Sequence, residues 1–390
     1  MQAIKQLYRI GYGPSSSHTI APYRIAKLYK ENHCDCDRYE IILGGSLALT
    51  AKGHGSIDII RKSLETENVD FLYDLNNKRN IMNIAGYIGK RKQETWHGVS
   101  LGGGAIEIKE FDAGDMKETY AENSFAEIKK YLIENHLSLR EYIYSHERDL
   151  KDHLEICLDT MFDIVEKGIG SEGLLNEDLN YYRIAKNLYE KALDDKDYLV
   201  AYSYAAMEEN AAGGLMCTAP TLGACGILTS LMYFLHFNKK VDIDELCDML
   251  AIGGIFGNCI KKNASIAGSS GGCQAEVGTA CAMASAAIAY HDGADLNTIE
   301  YAAEMGVEHF LGLTCDPVLG YVIIPCIERN AISILRAFDC AYLAKQLHGI
   351  KDNAISFDSV VKAMNYTGNK LAIELKETSL GGLSLEYHHE

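Results

Sequence analysis

Phe111-Asp112-Ala113-Gly114-Asp115-Met116-Lys117-Glu118-Thr119-Tyr120-Ala121-Glu122-Asn123 is where this sequence changes character. Upstream, short strand-like and helix-like stretches alternate. Ala21–Glu31 reads as an amphipathic helix, and Tyr39–Leu43 and Ala105–Lys109 read as strands, the second just after Gly102-Gly103-Gly104. Downstream, a helical period takes over. Phe125–Glu134, Leu150–Glu166, Tyr181–Leu193, Tyr198–Glu208, Asp244–Gly253, Glu276–His291, Thr298–Leu311 and Ala331–Leu347 are the expected helices. The polar, acidic stretch between the two patterns is the expected linker. The fold class is therefore an α+β N-terminal domain followed by a mainly α-helical domain, with boundaries expected at 1–112, 113–123 and 124–390.

The 5 prolines, at positions 14, 22, 220, 317 and 325, leave most of the helical half unbroken. All five fall in or beside the candidate site motifs, and the glycine runs Gly213-Gly214, Gly268 to Gly272 and Gly312 to Gly320 break the helices near one site. Those interruptions mark the loops of one expected site.

With 37 Lys+Arg against 54 Asp+Glu, the net charge is −17, which argues against nucleic acid or an anionic membrane surface as the main partner. A small anionic substrate is compatible, because local charge in a cleft can oppose the net charge. No apolar run reaches membrane-spanning length, and the first residues lack the apolar core of a secretory signal. With 12 cysteines, the expected setting is a reducing cytoplasm in which thiols are free or metal-bound. Cys157, Cys247, Cys281 and Cys340 read as small core residues, and Cys34 and Cys36 as part of an exposed loop.

Three cysteines stand apart. Cys273 lies in Gly271-Gly272-Cys273-Gln274-Ala275-Glu276-Val277-Gly278, Cys315 in Gly312-Leu313-Thr314-Cys315-Asp316-Pro317, and Cys326 in Pro325-Cys326-Ile327-Glu328-Arg329-Asn330-Ala331. Small residues and turns let the backbone approach a ligand closely there. Separations of 42 and 11 residues do not form a ferredoxin run, so any shared ligand must be reached from separate loops. By spacing alone, three buried free thiols are favoured over a metal cluster. Asp316 is placed to orient a neighbouring ligand, and Glu328-Arg329 reads as an ion-paired helix start.

Near the N-terminus, Gly13-Pro14-Ser15-Ser16-Ser17-His18-Thr19 is a helix-entry turn. One hydroxyl is expected to cap the helix, and the rest, with free backbone N–H groups, make a cradle for a carboxylate. His18 and His54, the latter in Lys52-Gly53-His54-Gly55, are proton-transfer candidates. Thr218, Asn263 and Ser265 are polar groups beside the cysteine loops, suited either to substrate or to loop backbone.

These motifs, together with Gly45-Ser46-Leu47-Ala48-Leu49-Thr50, Lys262-Asn263-Ala264-Ser265 and Lys376-Glu377-Thr378-Ser379-Leu380-Gly381-Gly382-Leu383, resemble the iron–sulfur L-serine dehydratases (L-serine ammonia-lyases) across the whole chain, patchily between Asp58 and Asn210. The resemblance implies a 4Fe-4S cluster on Cys273, Cys315 and Cys326, with one iron open as a Lewis acid and no pyridoxal phosphate. It implies β-elimination of L-serine to pyruvate and ammonia. His54 is then the preferred base, with His18 and Ser16 beside it and Ser15, Ser17, Thr19, Thr218, Asn263 and Ser265 binding substrate. A homodimer is the default assembly.

The chain departs from the family in two ways. The family ends in a cysteine that caps the open iron, whereas this chain ends Tyr387-His388-His389-Glu390, which makes His389 the candidate tail ligand. Leu215, Leu222, Ile57, Ser269 and Ser270 stand where the family carries other, mostly more polar, residues. A related lyase acting on threonine or cysteine, a catalytically weak amino-acid-binding homologue, and a cluster-free structural protein are the competing readings.

Overall fold

A computed structural model describes residues 1–387. The N-terminal part carries a five-stranded sheet of β2 (Arg38–Gly44), β3 (Val69–Asp74), β4 (Ile81–Ile88), β5 (Arg91–Gly102) and β6 (Ala105–Ile108), in the order β3-β2-β4-β5-β6. β2 and β3 run parallel, and the other pairs are antiparallel. A parallel pair needs a crossover, here supplied by the helix Ser56–Leu64. The alternation of β2 turns Tyr39, Ile41 and Leu43 inward. They pack under the helices Ala21–Asn32 and Ser56–Leu64 in a core of their own with Trp96 and Ile106.

The rest is helical. Thr279–His291, built of Ala, Ser, Cys, Met and Ile, is buried nearly all round. A helix apolar on every face belongs at the centre of a domain, and this one packs against Ile243–Asn263, Leu296–Glu308 and Cys326–Leu347. Phe125, Phe256 and Phe357 close the core at one end, with ring centroids 4.4 to 6.2 Å apart.

Much of the first twenty residues packs with the helical body. Met1, Ile4, Leu7, Tyr8 and Ile20 belong to the helical core. Buried Glu147 accepts from the backbone N–H groups of Ile4 and Lys5, and from Tyr120 Oη. β1 (Ile10–Tyr12) pairs with a distant strand, Leu215–Cys217, antiparallel. A small hairpin, Leu174–Asn176 with Tyr181–Tyr182, completes the strands described.

Most expected helices are present, with shifted ends. Tyr181–Leu193 is the exception: Tyr181 and Tyr182 form a strand, and the helix covers only Ala185–Lys191. The helices Leu139–His146, Cys225–Phe237 and Phe357–Lys370 were not anticipated.

Candidate active site

Ser15 ends an extended segment, and Ser16–Ile20 forms one wide π-type turn that runs directly into the helix Ala21–Asn32. Such turns are uncommon and gather at functional sites. No serine oxygen caps the helix, contrary to expectation. The hydroxyls turn to His18 instead: Nδ1 lies 2.8 Å from Ser17 Oγ and 3.2 Å from Ser15 Oγ, and Nε2 lies 3.2 Å from Ser46 Oγ. Thr19 is different, because its hydroxyl donates to the carbonyls of Tyr12 and Ser15. Ser16 is buried in the same turn.

His54 stacks on His18 with ring centroids 4.3 Å apart. Between them stands Glu377, whose Oε1 is 3.5 Å from His54 Nε2, 3.6 Å from His18 Nδ1 and 3.4 Å from Ser15 Oγ. All three side chains are buried. Burial holds His18 down at about 4, with His54 adding and Glu377 opposing, so His18 is neutral near pH 7 and its contact with Glu377 is no ion pair. Burial alone would push the Glu377 carboxyl up. Hydrogen bonds from His54 and from the Ser15 hydroxyl oppose that push. His54 Nδ1 and Glu377 Oε2 are buried without a hydrogen-bond partner among the described residues. Leaving such atoms unpaired costs about 1–3 kcal/mol each, and they suit a site that awaits a polar ligand.

The cysteines converge on the other side of Glu377. Cys273 precedes a second π-type turn, Gln274–Gly278. Cys315 lies in an irregular loop, and Cys326 begins the helix Cys326–Leu347. Ligand atoms of Cys273, Cys315 and Glu276 lie within 4.8 Å of one another. Cys326 is outside that group, yet its thiol feels the charges of Cys273, Arg329 and Glu276. Contact with Cys315 draws the Cys273 thiol down to about 7 against the effect of burial, and Arg329 adds to the pull. Burial, Glu377 and Cys273 push Glu276 well above the usual carboxylate range. Gly268 is required here: a Cβ on it would sit 2.7 Å from Glu276 Oε2 and 3.1 Å from Cys315 Sγ.

The C-terminal segment straps the halves together. Cys315 N donates to Leu375 O, Glu377 N to Cys315 O, and Ser379 Oγ to Pro317 O. Arg329 spans Thr314 O and Asp316, and the second oxygen of Asp316 accepts from Leu383 N at 2.8 Å. Gly382, at φ +61°, lies so close to Asp316 that a Cβ would clash at 2.1 Å. His389 lies outside the described residues.

Three expected substrate contacts have other partners. Thr218 Oγ1 donates to Leu7 O and accepts from Arg9 N. Asn263 donates to the carbonyls of Asn123 and Cys259, and Ser265 Oγ accepts from Ala267 N. Conversely, Ser46, Glu276, Arg329 and Glu377 lie inside motifs quoted above but were given no place at a substrate. Their roles appear only once the loops meet.

A family model for the serine dehydratase alpha chain matches residues 66–384, and one for the beta chain matches residues 3–86. The chain belongs to the serine dehydratase family. Among its relatives, L-serine dehydratase 2 of Escherichia coli K12 is 32% identical, with 99% of each chain covered. L-serine dehydratase of Streptomyces coelicolor is 32% identical with 98% of each covered, and that of Helicobacter pylori J99 is 33% identical with 98% of each covered. Leu215, Leu222 and Ser269, expected points of departure from the family pattern, do not share one pocket. Leu215 is half-exposed on a separate cleft beside Arg9, Leu222 is buried in the helical core, and Ser269 Oγ accepts from Asn80, which in turn holds Ser46. No helix among the described residues is long and apolar enough to cross a membrane.

Proposed function

We propose that this chain eliminates water from L-serine, releasing pyruvate and ammonia, with a 4Fe-4S cluster held by Cys273, Cys315 and Cys326. The observation that carries the reading is a pair of mostly buried groups, Cys273 with Cys315 and Glu276, and His18 with His54 and Glu377, drawn from opposite ends of the chain, with buried Cys326 at the start of a nearby helix. The residues suit such a cluster. Soft thiolates are the protein ligands iron–sulfur clusters take. Arg329 stabilises negative charge on Cys273, and the glycine at 268 leaves room beside Cys315. When bound, an iron without a fourth cysteine supplies a Lewis acid for the departing β-hydroxyl.

The chain's own groups handle position and protons. Ser15 and Ser17, at the start of the Ala21 helix, receive the substrate carboxylate, and Ser46 and neutral His18 hold them in place. His54 Nδ1 takes the Cα proton, while Glu377 on Nε2 fixes the ring and balances the imidazolium that forms. Loss of hydroxide leaves aminoacrylate, which hydrolyses to pyruvate and ammonia. Ser16 stays in the turn as a positioning residue.

The test is 2-oxo acid formation by anaerobically purified protein from L-serine, L-threonine and L-cysteine. Pyruvate from L-serine is the expected result. A protein that binds iron and sulfide but turns over none of the three would be an amino-acid-binding homologue instead.

A further inference from the structure

A neutral histidine carries its ring proton on Nδ1 or on Nε2, and the hydrogen bonds around His18 select between the two. The selection starts at Asn80, at the end of the loop that joins β3 to β4. Backbone bonds hold that loop to the sheet domain: Gly45 N donates to Asn77 O at 3.0 Å, and Ser100 N donates to Asn80 O at 2.9 Å. Gly45, at φ +66°, makes room for it, because a Cβ there would lie 2.5 Å from Arg79 O and 2.6 Å from Asn80 Oδ1.

The Asn80 amide can face only one way. Ser46 N lies 2.9 Å from one end of it, and a backbone N–H can only donate, so that end is the oxygen, Oδ1. The other end, Nδ2, donates to Ser269 Oγ of the helical domain at 2.9 Å. Ser46 Oγ lies 3.0 Å from the same Oδ1. An amide oxygen can only accept, so the single proton of the Ser46 hydroxyl points to Asn80. Only lone pairs of Ser46 Oγ remain for His18 Nε2, at 3.2 Å, and that contact is a hydrogen bond only when Nε2 carries the ring proton. Nδ1 is then bare and accepts from Ser17 Oγ at 2.8 Å.

The opposite form would disturb His54. His18 Nδ1 lies 3.6 Å from Glu377 Oε1, and the same oxygen is 3.5 Å from His54 Nε2. A proton on His18 Nδ1 would face that oxygen and compete with His54 Nε2–H for it. We propose that Asn80 is a positioning residue of the elimination site: through the Ser46 hydroxyl it fixes the His18 proton on Nε2, and so leaves Glu377 Oε1 to His54. The kinetic consequence rests on the proposed elimination; the position of the ring proton does not.

The test reads that proton directly by nitrogen-15 resonance of the anaerobically purified holoenzyme with labelled histidine. The His18 ring nitrogens, identified by their loss in His18→Gln, are expected at pH 7 as a protonated Nε2 and a bare Nδ1. Asn80→Leu frees the Ser46 proton to donate to Nε2, so the ring proton is expected on Nδ1. Asn80→Asp keeps an oxygen for Ser46 and should keep the wild-type form. With L-serine, Asn80→Leu should lose about 10²-fold in kcat, as for a small misplacement of reacting groups, and Asn80→Asp should recover most of it. Adding Asn80→Leu to Ser46→Ala should cost nothing further, because both act through one hydroxyl. If Asn80→Leu does not fold, Ser46→Ala, which removes the acceptor for Nε2–H, should likewise lose the fixed form. A wild-type ring protonated on Nδ1, or a ring still fixed as Nε2–H in the variant that folds, would overturn the proposal. Equal kcat losses in Asn80→Asp and Asn80→Leu would overturn the link to His54. A wild type that forms no pyruvate yet shows the expected ring forms would sink the elimination and leave the placing of the proton standing.

Discussion

Two buried carboxylates each bring two basic side chains together, and the bases make them different devices. Glu377 holds His18 and His54, and Asp115 holds Arg9 and Arg24. Imidazole sheds its proton when buried, and His18 is neutral near pH 7. Its cluster can therefore accept and release a proton at little cost. Guanidinium keeps its charge, so the Asp115 cluster cannot move protons. It ties the start of the chain, the first long helix and the β6 edge into one knot.

The largest expected difference is in turnover. Glu377→Gln should lower kcat by about 10²–10⁴-fold, the range for a general base deprived of its function, while iron content stays that of the wild type. Asp115→Asn should do the reverse, leaving kcat of the folded enzyme near normal. Near-equal kcat losses in the two variants would erase the distinction.

Stability separates them next. Asp115→Asn removes the counter-charge of two arginines, a loss of about 3–5 kcal/mol for a buried pair, read as a lower urea midpoint. A change within a few tenths of a kcal/mol would show that water already screens the knot.

A smaller effect follows from pH. His18, facing Glu377, His54 and three serine hydroxyls, titrates at about 4 in the folded chain against roughly 6.5 in the unfolded one. As pH falls below about 6.5, the unfolded chain takes up the proton first, so stability is full above that pH and declines toward pH 4. His18→Gln should flatten that part of the curve in urea melts taken from pH 7 to pH 4, and Arg9→Gln should not. A wild-type slope retained in His18→Gln would assign the titration to another group.

The smallest is Thr218→Val. Its hydroxyl serves the backbone of Leu7 and Arg9, so the expected change is a loss of about 1–2 kcal/mol in stability with KM for serine unaltered. A raised KM would return Thr218 to the substrate, as the sequence suggested.

How much of this was readable in the sequence depended on range. The change of pattern at Phe111–Asn123 located the sheet and the helical body, because periodicity is local. The cysteine, serine and histidine motifs named loops that the fold brings close to one another. What joins them was not legible. The pairing of Ile10–Tyr12 with Leu215–Cys217 involves three-residue strands with no pattern of their own. Glu377 acquires its role only because the Cys315 loop accepts the tail strand-like through its backbone. The stretch reads as a linker from its polarity, yet Asp115 within it is a buried anchor; a lone Asp carries no sequence sign of burial. One miss was avoidable: Ser138 and Glu141 form a capping box at the start of Leu139–His146, a signal visible in the sequence.

The central claim is that three thiols and a histidine–carboxylate pair from opposite ends of the chain make one elimination site. Pyruvate formation from L-serine by anaerobically purified wild-type protein and by Cys315→Ala, assayed side by side, tests it most directly. The account predicts turnover by the wild type and none by the variant, with loss of iron and sulfide in the variant. Pyruvate formed by Cys315→Ala at the wild-type rate would contradict it.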